Sequence, residues 1–143
     1  MTGPLTNRRR IEYGALWLIA AFNLPVGLQA SFAPRSFFDD FPLGRGWISA
    51  DGAPYNEHLV RDVGVLYLAL IIATAWTAWR RVPSRPLAVA WLVQGVLHVA
   101  FHIRHLHGFD TVEQIALVSS LLTIPILASV ALGAGRNQVS RAG

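Results

Sequence analysis

The sequence contains no cysteine and no lysine. The absence of thiols excludes disulfides, thiolate metal sites, iron–sulfur clusters and covalent c-type haem attachment. Charge is scarce as well: charged residues make up 14% of the 143, against roughly 25% in soluble domains. There is no phosphate loop, nucleophile elbow, dinucleotide fingerprint or H-E-x-x-H box, and no internal repeat or low-complexity segment. Motif-defined nucleotide, hydrolase and zinc-protease chemistry therefore has no footing here.

Long apolar runs fill the space. Hydrophobic residues make up 53% of the chain, which by length is one domain. Apolar stretches cover residues 13–32, 56–79, 86–106 and 111–134, each near the ~20 residues that cross a bilayer core. This predicts an all-α fold, a four-helix antiparallel transmembrane bundle. The first run holds Asn23, Pro25 and Gln29, and the proline predicts a kink. Arg8, Arg9 and Arg10 ahead of it, with Leu28-Gln29-Ala30 behind, also fit a signal peptide. The length of the run favours a retained helix.

Residues 33–55 carry Pro34, Pro42 and Pro54, the pair Asp39-Asp40, and the aromatics Phe37, Phe38, Phe41 and Trp47. They predict a long loop that lies on the membrane or caps the bundle, and loops of this length are often functional. Asn56 is the expected N-cap of the second span, with Glu57 in its first turn; Asp110 or Thr111 caps the fourth. Gly108 suits a helix C-terminus. Trp76 and Trp79 mark a membrane interface. Gly64, Gly95 and Gly133 are expected to permit close helix contact, and Ser119, Ser120 and Thr123 to bond to helix backbone. The tail, 135–143, is expected to be loose.

Charge placement sets orientation. Arginines 8, 9, 10, 80, 81, 85, 136 and 141, eight of the twelve, fall in segments that four crossings put on one side. Asp39, Asp40, Asp51, Glu57, Asp110 and Glu113 fall on the other. The positive-inside rule predicts cytoplasmic termini in a multi-pass protein of the plasma (cytoplasmic) membrane. The same placement argues against nucleic acid as a partner, despite a net charge of +4.

Residues 94–107, Q-G-V-L-H-V-A-F-H-I-R-H-L-H, hold four of the five histidines. His98, His102 and His105 follow i, i+4, i+7 spacing, so a helix would line them on one face, with Gln94 one turn further in. Four crossings bring this end of the third span level with Glu57, His58, Arg61 and Asp62, and with Asp110, Glu113 and Gln114. His98, His102, His58 and Asp62 are the candidates for acid–base chemistry; Glu57, Arg61, Gln94 and Gln114 are the candidates for substrate binding. His98, His102 and His105 are the metal candidates, for one transition metal or one b-type haem. Beside these stands a structural reading. Glu57 with Arg61 and His58 with Asp62 are i, i+4 pairs that tie a helix end, and interfacial histidines bond to loop carbonyls or headgroups. Ionisable residues inside spans are functional suspects by default, since one facing lipid mid-membrane costs about 2.5–3.5 kcal/mol. Two functions follow: a small membrane protein with an outer His/carboxylate site for a metal, haem or small lipophilic substrate, or a non-catalytic subunit of a larger membrane complex. A homo-oligomer is a further expected assembly.

The layout, and the stretch Tyr55-Asn56-Glu57-His58-Leu59-Val60-Arg61-Asp62-Val63-Gly64, resemble the small DoxX-like four-helix membrane proteins. The resemblance implies a four-helix fold, with roles ranging from quinone-dependent oxidation to accessory functions in oxidase complexes. The His-rich third span lies outside it, so no site residue is carried over.

Overall fold

The computed structural model describes residues 5–50 and 52–135. It contains five helices: α1 (Asn7–Phe32), α2 (Pro34–Asp40), α3 (Glu57–Arg80), α4 (Arg85–Ile103) and α5 (Thr111–Gly135). All but α2 are long and apolar enough to cross a membrane. Their 19 to 26 residues extend about 28–39 Å at 1.5 Å per residue, against a hydrocarbon core of ~30 Å. The side chains of Leu66, Ile72, Leu97 and Ile126 are more than half exposed, as a lipid-facing surface requires.

Local chemistry sets the boundaries. Thr6 caps α1, accepting from the Arg9 N–H at 3.4 Å. Asn56 caps α3 as expected, accepting from Leu59 N–H at 3.1 Å, with Glu57 in the first turn. Asp110 takes the N-cap role at α5 through Glu113 N–H at 2.9 Å. Pro25 and Pro125 sit inside α1 and α5, which continue through them. Three boundaries differ from expectation. Helix α1 begins at Asn7 rather than 13, so the arginines 8, 9 and 10 lie in its first turns. The loop at 33–55 contains α2, started by Pro34 at its first turn, where a missing N–H costs nothing. The third span ends at Ile103 rather than 106, and Arg104 N–H turns back to the Phe101 carbonyl at 3.1 Å.

The long helices alternate in direction. At one end, Glu12 of α1 bonds Ser84 at the start of α4, and Tyr13 Oη donates to Val82 O at 3.5 Å. Gly135, the last residue of α5, lies against the Glu12 carboxylate. At the other end, Trp47 of the long loop meets Phe109 edge to face, and Arg45 lies 3.6 Å from Glu113. These are called below the arginine end and the loop end. The expected loose tail, with Arg136 and Arg141, lies outside the described residues, as does Asp51.

Helix α1 is the hub. Leu16 and Ile19 are fully buried, in a core with Ile71, Trp91, Ile124 and Ala128 of the other spans. Lipid tails are as apolar as leucine, so small residues and close backbones hold such a bundle. A Cβ on Gly64 would lie 2.5 Å from Ser31 N, and one on Gly95 would lie 2.7 Å from the Pro125 ring. Those glycines permit the α1–α3 and α4–α5 contacts as expected. Gly133 does not belong with them, having open space where a Cβ would stand. Ser120 and Thr123 bond carbonyls of their own helix, those of Leu117 at 2.7 Å and Ser119 at 3.2 Å. Helix α1 packs against both α3 and α5, and α5 against α4. Helices α3 and α4 meet through side chains: Trp91 Nε1 donates to Thr74 Oγ1 at 2.8 Å, and Gln94 Nε2 to Tyr67 Oη at 2.6 Å.

Candidate functional site

Towards the loop end the four long helices part around a cavity of about 690 Å³, within the range of small-molecule sites. Its walls are Phe22, Val26 and Gln29 of α1, Leu59, Val63 and Tyr67 of α3, Gln94, His98 and His102 of α4, and Leu117, Ser120 and Leu121 of α5. The roof is Phe37 and Phe38 of α2, with Phe41, Trp47, Ile48 and Pro54 of the following loop. So the long loop caps the bundle. Phe38 packs edge to face on Tyr55, and Phe37 lies tilted against Phe41 with centroids 4.8 Å apart, which fixes the roof on α2. Leu59, Val63 and Phe22 line the cavity yet are 60%, 38% and 48% exposed, so its walls reach the lipid-facing surface.

The polar lining is sparse. Tyr67 stands ten residues into α3, about 15 Å from the helix start at 1.5 Å per residue. Its phenol oxygen accepts from Gln94, and its ring packs edge to face on buried Trp91. His98 and His102, one turn apart, meet edge to face with centroids separated by 4.6 Å. Trp47 lines the roof with its ring, while its indole N–H is buried away from the cavity surface and without a hydrogen-bond partner among the described residues. Among the described residues the lining has no Asp, Glu, Lys or Arg.

The residues singled out in the sequence divide into two groups. Gln94, His98 and His102 line the cavity together. His105 does not join them. The helix has ended two residues before it, and its ring stacks on Phe101 with Nδ1 2.8 Å from the Phe101 carbonyl. Glu57, His58, Arg61 and Asp62 share the loop end but line no part of the cavity. His58 and Asp62 pair at 3.3 Å with side chains 89% and 60% exposed. Arg61 pairs with Glu57 at 2.8 Å and donates to Ser31 O at 2.6 Å, clamping α3 to the end of α1. Gln114 donates to the Phe109 and Leu106 carbonyls at 2.9 and 3.3 Å, tying the turn between α4 and α5. Among the described residues no three His, Asp or Glu side chains are grouped to hold a metal ion.

Sequence reasoning passed over Tyr67 and Trp47. A tyrosine in the middle of an apolar span, facing a glutamine of another span, was the available signal for the first. In the sequence Trp47 is one aromatic of a long loop, and only its place in the roof separates it from the others.

No family model matches the chain, and neither the curated proteins nor the solved structures contain a match.

Proposed function

We propose that this is a multi-pass protein of the plasma membrane that binds a small lipophilic molecule, taken from the bilayer into the cavity beneath α2. The arginine end, with Arg8, Arg10, Arg80, Arg81 and Arg85 all exposed, lies in the cytoplasm on this reading. Both termini are then cytoplasmic and the cavity opens in the outer leaflet.

The observation that carries the reading is the cavity itself: a mostly apolar chamber whose walls continue to the lipid-facing surface at Leu59, Val63 and Phe22. A lipophile that enters from the bilayer exchanges one apolar surrounding for another, so apolar contact alone contributes little to affinity. The polar groups must then select it. Gln94 and Tyr67 do so at the floor, and His98 and His102 on the wall. The carboxylates of α3 have no part in this. They belong to the clamp at the helix end.

Native mass spectrometry of the protein released from nanodiscs tests the proposal. The wild type is expected to retain a co-purifying lipophile. Ser120→Trp, which fills the chamber from α5, is expected to lose it with helical content unchanged. Equal retention by Ser120→Trp would sink the reading.

A further inference from the structure

We infer that the occupant of the cavity is an uncharged lipid whose head carries hydrogen-bonding oxygens, as in an ester or an alcohol, and not an anionic one. This rests on the proposal that the cavity binds a lipophile. Two independent features of the lining lead to it.

The first is charge. Among the described residues, no acidic or basic side chain other than the two imidazoles lines the chamber. Its polar floor lies about 15 Å along α3, near the middle of a core ~30 Å thick. A phosphate or carboxylate drawn to that depth would give up water and gain no fixed cation in return. Three guanidinium groups of the loop end are engaged elsewhere, Arg61 on Glu57 and Ser31 O, Arg35 on Asp39, and Arg45 beside Glu113.

The second is hydrogen-bond polarity. The Gln94 amide and the Tyr67 phenol together hold three donor hydrogens, and their mutual bond uses one of them whichever way the amide is turned. The Gln94 amide oxygen and the phenol oxygen also keep lone pairs to accept with, so the floor offers both donors and acceptors. Leaving such groups unmet in an apolar chamber is costly, and an uncharged head with carbonyl or hydroxyl oxygens meets them without bringing charge.

The test uses matched pairs. Full-length protein in detergent is titrated with dioleoylglycerol and with dioleoylphosphatidic acid, which share tails and ester carbonyls and differ by the phosphate. Methyl oleate against oleic acid makes a second pair. Bound lipid is counted by native mass spectrometry. The neutral member of each pair is expected to bind at least about tenfold more tightly, as for a site whose polar groups read its ligand. Tyr67→Phe, which keeps the ring, is expected to weaken dioleoylglycerol several-fold at an unchanged melting temperature. Equal or tighter binding of the anionic members, blocked by Ser120→Trp, would overturn this inference and leave the cavity proposal standing. Neutral binding that Ser120→Trp and Tyr67→Phe both leave unchanged lies elsewhere on the protein and also overturns it. Binding of neither member would overturn both.

Discussion

Glu12 and Ser84, 72 positions apart, share a buried hydrogen bond at the arginine end, where the serine hydroxyl donates to the carboxylate. The bond joins the first turns of α1 to the start of α4, two helices that otherwise pack through α5 and α3. The Glu12 side chain is 4% exposed, and its second oxygen has no hydrogen-bond partner among the described residues. Ser84→Ala leaves the carboxylate short of its donor. It is expected to destabilise by about 1–3 kcal/mol, the cost of an unsatisfied buried polar group. Removing both partners in Glu12→Leu, Ser84→Ala is expected to cost less than the sum of the single changes. Thermal unfolding in detergent across the four variants measures the coupling.

Glycine substitutions separate two kinds of position. Gly64→Ala puts a methyl group 2.5 Å from Ser31 N and 2.7 Å from Ala30 C, both backbone atoms that cannot step aside. The expected loss is about 1–3 kcal/mol from overpacking. Gly133→Ala meets nothing within 4 Å and is expected to be neutral or slightly stabilising. The same unfolding assay compares them, and a neutral Gly64→Ala would contradict the described α1–α3 contact.

Orientation is open to thiol labelling, since the native chain has no cysteine to interfere. Val82→Cys in the exposed turn between α3 and α4 is expected to react only after the membrane is permeabilised. Ala50→Cys in the long loop, also exposed, is expected to react in intact cells. The reverse pattern would falsify cytoplasmic termini. Ser84 is unsuited to the purpose, because it is 3% exposed and bonded to Glu12.

Histidine changes divide the same way the geometry does. His58→Ala removes an exposed ring paired only with Asp62, and lipid retention is expected to stay within about twofold of wild type. His98→Ala strips the cavity wall and the edge contact with His102, and retention is expected to fall several-fold. Equal effects from the two would remove the distinction between wall and helix-end clamp.

The crossings were legible because apolar runs near 20 residues leave few alternatives. The cap at Asn56 was legible from local chemistry alone, which also narrowed the cap of α5 to Asp110 or Thr111; the structure gives it to Asp110. The relation of His98 and His102 to Gln94 followed from helical spacing and holds. The rest depended on facts that spacing does not contain. His105 fell outside the face because the helix stopped at Ile103, and helix ends are set by where the turn must pack. Here Gly108 sits against Ala50, with 3.0 Å between a would-be Cβ and the Ala50 carbonyl oxygen. Glu57 to Asp62 share the level of the histidines but not their direction. Depth in a membrane can be counted along a chain, whereas rotation about a helix axis needs the packing partner. For α3 that partner is Ser31 and Gly27 of α1, which turns the charged residues away from α4.

Seen down its axis, the bundle is an arc in the order α3, α1, α5, α4, and the two ends of the arc are latched by Thr74–Trp91 and Tyr67–Gln94. A ring of four mutually packed helices opens only by loosening a packed face. An arc opens by releasing a latch, at the cost of a side-chain rotation and with the contacts of α1 to α3 and α5 intact.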